Sequence, residues 1–383
     1  MSKTRSIFEE VTSEKPTGQL LGNSPNGGLI DQGREDWRRG VATWMKILFA
    51  MVALMVVIGG LTRLTDSGLS ITEWNVIKGA LPPMNEAAWL VEFEKYKAIP
   101  EYQLQNKGME LAAFKGIYWW EWGHRQLGRL VGLVWAIGFL YLLATKTIPK
   151  GWKFRMVLVG VLGGLQGAIG WWMVSSGLTG RMVDVASYRL ATHLGLAFII
   201  LGTLFWFIMK LNRSEMSLFQ SRRTRNDASA RMAKVLIVLA FAQILLGALV
   251  AGIDAGRGYI DWPMMGGEFL PSESFDYLPL WTNFFENPAL VQFNHRMLGY
   301  LVMFAGVFAW YQSRSAGHSK VRIGFKAVMM MLFIQMLLGI FTVLYAAPWY
   351  FAIVHQMGAI FVLMLMLQTL FAATYPSEQS VRG

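Results

Sequence analysis

The sequence predicts an all-α polytopic membrane protein of eight transmembrane helices, arranged as two repeated four-helix bundles. Three observations carry that expectation. Only 15% of the 383 residues are charged and 54% are hydrophobic, well short of the roughly 25% charge typical of a soluble domain. Charge-free runs recur along the chain, as spanning helices of about 20 apolar residues require. Landmarks of the first half also reappear, in order, in the second. The composition excludes a disordered chain. The absence of cysteine excludes disulfides, thiolate metal sites, iron–sulfur clusters and a cysteine nucleophile.

Residues 1–42 are polar, with Glu9, Glu10 and Glu14. They lack the apolar core of a signal peptide and the acid-poor character of a transit peptide, and are expected to form a cytoplasmic tail. Span one covers 47–62 with its flanks. Span two starts near Trp122 and includes the uncharged run 130–145. Span three lies within 156–180, span four in 190–209, span five in 235–253, and span six around the uncharged run 297–313. Residues 327–377 carry no Asp, Glu, Lys or Arg and are too long for one helix. A break at Ala346-Ala347-Pro348 divides them into spans seven and eight. The two repeats are placed at 43–212 and 235–375, with a basic cytoplasmic linker at 213–234 and a short tail at 376–383.

Basic residues gather before span one and in alternate loops: Lys146 to Arg155, Lys210 to Lys234, and Arg314 to Lys326. The loop after span five instead carries Asp254, Asp261, Glu268, Glu273, Asp276 and Glu286, with Arg257 its only Lys or Arg. The positive-inside rule puts both termini and the basic loops in the cytoplasm. The net charge of +11 is thereby explained by topology, and no nucleic-acid partner is expected.

The repeat is explicit in the residues. Asp66, Gly68, Trp74, Gly79 and Pro83 recur at one constant offset as Asp254, Gly256, Trp262, Gly267 and Pro271, and Glu73 faces Asp261. His124-Arg125 recurs as His295-Arg296, Gln166 and Gly170 as Gln335 and Gly339, and His193 as His355. Parallel repeats of this kind are related by an axis along the membrane normal.

Of the five histidines, His318 falls in a cytoplasmic loop. The other four, His124, His193, His295 and His355, open the even-numbered spans, all at the outer side by this topology. Ionisable groups within spans mark function by default, although a lone histidine there also suits a cap or headgroup contact. Zinc takes three or four ligands, and no thiol is present to help. A di-iron bundle draws on several inward carboxylates. Glu121-x-x-His124 has the spacing, but the second half has Gln292 in place of that glutamate. Two opposed imidazoles on separate helices suit haem, with His124 paired to His193 and His295 to His355. The halves differ in charge: Arg63 and Arg129 correspond to Ala251 and Tyr300. Such arginines suit anionic propionates; the alternative is contact with lipid phosphates. Trp119, Trp120 and Trp122 read as interfacial residues, Gln166 and Gln335 as bonds between helices, and the glycines at 59, 60, 163, 164, 167 and 170 as points of close approach.

The segments GGLTRLTDSGLSITEW at 59–74, WGHRQLGR at 122–129 and FNHRMLGY at 293–300 closely resemble the haem A synthase family, of the type found in α-proteobacteria and mitochondria. The likeness runs from about Trp44 to Thr374. Some relatives carry cysteine pairs in outer loops, and this chain has none. The resemblance implies oxidation of a ring methyl of haem O to formyl by two successive hydroxylations with water, giving haem A for cytochrome c oxidase. It implies a resident haem b held by His295 and His355, with Arg296 beside it. The substrate haem then faces His124 and His193, with Arg63, Arg125 and Arg129 anchoring it. Glu73 is the candidate for stabilising positive character at the methyl or for taking a proton from water; the alternative is that it orders its loop. Expected surroundings are a bacterial inner membrane, ahead of the mitochondrial inner membrane, with membrane lipid, haem O synthase, oxidase assembly factors and a homo-oligomer as partners. The rival reading is a bis-histidine dihaem quinol oxidoreductase. A transporter is disfavoured because the polar residues cluster at the outer edge rather than at mid-membrane.

Overall fold

The computed structural model describes residues 29–180 and 182–377. Residues 1–28 of the expected tail, and 378–383 at the other end, lie outside the described residues. The described chain is helical throughout, without a strand. In order the helices are α1 (Leu29–Leu64), α2 (Glu86–Lys97), α3 (Pro100–Leu104), α4 (Leu111–Ala144), α5 (Lys153–Val174), α6 (Ser187–Leu211), α7 (Glu215–Ser221), α8 (Asp227–Gly252), α9 (Asn283–Glu286), α10 (Pro288–Ser313), α11 (Ser319–Leu344) and α12 (Trp349–Thr374).

Helix α1 already begins inside the stretch read as tail, at Leu29. The stretch read as a linker holds α7 and the start of α8, where Asn226 caps α8 by accepting from the Ser229 N–H. Among the described residues, seven helices are long and apolar enough to cross a membrane: α1 from Trp37, α4, α5, α6, α8, α11 and α12. Helix α10 has 26 residues but falls short in apolar character, because Gln292, Asn294, His295 and Arg296 crowd its first turns. Its start is well defined, with Pro288 at the first helical position and the Asn287 side chain accepting from the Ala289 and Leu290 N–H groups. The break near Pro348 is present: α11 ends at Leu344, and Ala346 and Ala347 take φ of +58° and +52° before α12 begins. At the ends of α1 and α8, Asp66 and Asp254 take φ of +48° and +50°. These are repeat-equivalent positions, and aspartate is among the few residues that tolerate that region.

Helices α1, α4, α5 and α6 pack in a closed circuit, as do α8, α10, α11 and α12. The circuits meet where α6 packs on α8 and α12 on α1, with α6 also touching α12. Between helices surrounded by lipid, van der Waals fit and polar ties replace the hydrophobic drive. Trp44 lies over Gly138 and donates its indole N–H to the Val134 carbonyl at 3.1 Å. Trp135 lies over Gly160 and donates to the Met156 carbonyl, also at 3.1 Å. A side chain on either glycine would collide with the indole. The loop between α1 and α4 folds α2 and α3 onto an aromatic cluster of Trp89, Phe93, Tyr96, Phe114 and Tyr118. The corresponding second-half loop is built from short turns and α9.

Candidate functional site

Each of the four histidines packs against a glycine on the neighbouring helix. A Cβ added to Gly59 would lie 3.1 Å from the His124 ring, on Gly170 2.8 Å from His193, on Gly247 3.1 Å from His295, and on Gly339 3.1 Å from His355. The rings are thus seated where the backbone itself approaches. They lie deep among protein atoms yet keep partial accessibility, as side chains facing an internal space do. The His295 and His355 ring centres are 6.4 Å apart with planes at 79°. Two metal–imidazole bonds of about 2 Å across one metal give ring centres about 6 Å apart, so this pair fits one iron between them. Among the described residues no group of three His, Cys, Asp or Glu could hold a metal ion.

Three glutamines tie the backbones of three of these histidines to the neighbouring helices. Gln166, Gln243 and Gln335 donate to the backbone carbonyls of His193, His295 and His355 at 3.1, 2.9 and 2.5 Å. Gln243 lay hidden in an uncharged run. The spacing Gln-x-x-x-Gly, at 166–170, 243–247 and 335–339, was the signal that could have found it.

The arginines do something the sequence did not reveal. Arg125 donates to the Ile71 and Glu73 carbonyls at 2.7 and 2.9 Å. Its repeat partner Arg296 donates to the Tyr259 and Met264 carbonyls at 3.0 and 2.9 Å. Arg129 donates to the Val76 and Asn75 carbonyls at 2.8 and 2.9 Å. These guanidinium groups clamp the outer loops over the histidine-bearing helix ends, leaving only part of their five donors free for an anion. Arg63 is ringed by carboxylates: Asp66 at 2.9 Å, Asp184 at 3.4 Å, and Asp254 of the second half at 2.9 Å. It therefore bridges the two halves. Burial pushes the Asp184 carboxyl up, Arg63 opposes this, and Asp254 adds to the rise.

Glu121, marked in the sequence only by its spacing to His124, makes contacts that the spacing does not suggest. It is buried, pairs with Arg125 at 2.6 Å, and accepts from the Ser70 hydroxyl at 2.7 Å and the Ile71 N–H at 2.8 Å. Glu73 is exposed, its carboxylate engaged by Lys95 at 3.2 Å and the Asn75 amide at 2.8 Å. Those two bonds hold its carboxyl below the ordinary range. Its counterpart Asp261 instead accepts from the Gly266 and Gly267 N–H groups at 2.8 and 3.1 Å, closing a turn. The bond from Gly266, first among its contacts, depresses its carboxyl.

Beside this region Glu101 is buried with one carboxyl oxygen unpartnered. Burial first, then the nearby Asp184, Glu121 and Asp66, push its carboxyl up to about 8. The fold therefore binds this proton more tightly than the unfolded chain. The resulting stabilisation is complete below the ordinary pKa of 4.5 and is lost as pH rises through about 8. Melting curves from about pH 5 to 9 should show the wild-type chain losing stability relative to Glu101→Gln. Parallel pH profiles would contradict the assignment.

A helical membrane protein that seats four interior imidazoles against glycines of neighbouring helices, two of them facing each other, is the class this fold and site define. The chain belongs to the cytochrome oxidase assembly protein family (COX15-CtaA), whose model matches residues 42–367. It is 58% identical to the haem A synthase of Dinoroseobacter shibae over 100% of this chain and 99% of that one. It is 54% identical to that of Ruegeria pomeroyi over the whole of both chains. It is also 54% identical to that of Paracoccus denitrificans, covering 99% of this chain and 98% of the relative.

Proposed function

We propose that this chain is a haem A synthase, oxidising a ring methyl of haem O to the formyl group of haem A for cytochrome oxidase. The full-length identity to haem A synthases supports the activity. The observation that carries the site assignment is the His295–His355 pair, its ring centres 6.4 Å apart. In this reading the pair holds a resident haem b with Arg296 beside it, and His124 and His193 face the substrate. The difference between the halves favours that division. Gly163, Gly164 and Gly167 of α5 have nothing within 4 Å of an added Cβ, whereas the second half has Leu332, Phe333 and Met336 at the matching positions. Arg63 and Arg129 are likewise confined to the first half.

The reaction adds water and removes two electrons and two protons in each of two rounds. The product geminal diol then loses water to give the aldehyde. The resident haem, when bound, would relay these electrons one at a time to an external electron acceptor. The residues do the rest. His124 and His193 orient the substrate. Arg125 and Arg129, through the 71–76 carbonyls, close the outer loop over it and limit water access. Their remaining donors, with Arg63, meet the propionates. Glu73, carried on that clamped loop, takes a proton from the attacking water. Like any exposed carboxylate it is in the base form at neutral pH, and leaving Lys95 would free it to act. Glu73→Gln should keep both haems yet slow formation of the aldehyde by about 10²–10⁴-fold. Haem A made at the parental rate would assign Glu73 to its loop instead.

In the same reading all eight long helices span the membrane, α10 with its polar first turns facing the resident haem. The two four-helix circuits are the two repeats, at 43–212 and 235–375, joined by the basic segment 213–234. Both termini face the cytoplasm of a bacterial inner membrane, where haem O synthase, oxidase assembly factors and a second copy of the chain are the partners that suit the activity. The dihaem quinol oxidoreductase is separated by pigment analysis: it would carry two identical fixed haems.

A further inference from the structure

The structure contains a four-fold pattern with a single departure. Four helix pairs each present a glycine to the neighbouring histidine: α1 to α4, α5 to α6, α8 to α10 and α11 to α12. Four residues before that glycine, one turn away, stand Met55, Gln166, Gln243 and Gln335. The three glutamines bond the histidine carbonyl opposite. Met55 occupies the equivalent space. A Cβ on Gly128 would meet the Met55 methyl at 3.6 Å, and a Cβ on the matching Gly299 would meet the Gln243 amide at 3.2 Å. A thioether has no N–H to donate, so Met55 cannot make this tie to the His124 carbonyl.

The rings differ in the same place. His193, His295 and His355 all turn Cε1 toward their glycine, with Nδ1 next and Nε2 farthest. His124 alone turns Nε2 toward its glycine, followed by Cδ2 and then Cε1. The turn of α1 beside it is tied elsewhere: Gln356, next to His355 on α12, donates to the Val56 carbonyl at 2.7 Å. Gln166 and Gln243 also bring their amide nitrogens within 3.2–3.4 Å of the ring nitrogens of His193 and His295. Thus the one histidine whose carbonyl has no glutamine tie is also the one whose ring takes a different orientation.

We infer that Met55 is a positioning residue that leaves the His124 imidazole free to turn between a ligating and a released orientation, so that the first site, fixed only on its His193 side, exchanges its haem, while the second site, with both His295 and His355 tied by glutamines at their carbonyls, holds its own. This rests on the assignment of the first site to the substrate. The physical reason is that a partner fixing a ligand histidine's orientation strengthens the metal bond. A resident cofactor benefits from that constraint, whereas a substrate that must leave as product does not.

The test uses the full-length purified protein, loaded with haem O, and the variants Met55→Gln and Met55→Leu. The readouts are the rate at which haem O passes to excess apomyoglobin, the low-spin fraction of the first-site iron, and kcat with KM. Met55→Gln should release haem O about three- to tenfold more slowly, the weight of one hydrogen bond. Its low-spin fraction should rise and kcat should fall without a rise in KM. Met55→Leu should match the parent. Unchanged release from Met55→Gln, or equal slowing in Met55→Leu, would overturn the inference. The reciprocal variant Gln243→Met should speed loss of the resident haem, and unchanged retention there would also count against it. If His124→Ala leaves haem O binding intact, the substrate-site assignment itself fails, an outcome distinct from either result at Met55.

Discussion

His295→Ala and His355→Ala should each abolish the low-spin spectrum of the resident haem and lower haem A formation by more than about 10²-fold. In the proposed reading both imidazoles would hold the resident haem's iron, and removing either would leave a single protein ligand. The facing ring, 6.4 Å away between centres, cannot cross the gap to compensate. Its position is fixed twice over, by the glycine behind it and by a glutamine on its own carbonyl. The haem would then be held more weakly and is expected to be lost on purification. Absorption and electron paramagnetic resonance spectra of the purified variants read this directly. A variant retaining the parental low-spin signal would remove that histidine from the ligand set. Controls at His318 should leave spectrum and turnover unchanged, since its ring meets the Thr224 carbonyl on another face of the protein.

Glu121→Ala should be among the most destabilising single changes, by about 3–5 kcal/mol, the usual effect of removing one partner of a buried ion pair. Two consequences add. Arg125 keeps its charge in a place where only 17% of its side chain is exposed, now without a counter-ion. The Ser70 hydroxyl and Ile71 N–H lose the carboxylate they share. Because Arg125 also holds the Ile71 and Glu73 carbonyls, the outer loop of the first half should loosen. Haem O affinity should then fall more than resident haem content. Glu121→Gln preserves an acceptor for the loop and should lose less. Thermal unfolding and haem titration check both, and a shift under about 1 kcal/mol for Glu121→Ala would place it among ordinary surface changes.

The facing of His295 and His355 was legible in the sequence because each sits on a repeated landmark in a chain that otherwise avoids ionisable groups within its spans. The break at Ala346-Ala347-Pro348 was legible for a local reason: proline cannot continue a helix. What escaped reading depended on chain segments distant in sequence. Arg125, Arg129 and Arg296 carry no mark that distinguishes a donor to a loop carbonyl from a donor to a carboxylate. Only folding brings residues 71–76 over Arg125. Arg63 was read as an anion anchor, and its three aspartates come from three separate stretches, one of them in the other half. Glu121 drew notice only through its spacing to His124, because its partners Ser70 and Ile71 lie in a loop. The count of apolar helices fell to seven because α10 gives its first turns to Gln292, Asn294, His295 and Arg296. Composition penalises polar residues that a site requires.

The central claim is that the two halves hold different pigments, and extracted haem content tests it most directly. Parental protein should yield haem B together with haem O or haem A. His124→Ala with His193→Ala should keep the haem B and lose the other two. His295→Ala with His355→Ala should lose the haem B. If both double variants retain haem B in equal amount, the halves are equivalent haem carriers, and the division into a substrate site and a cofactor site is wrong.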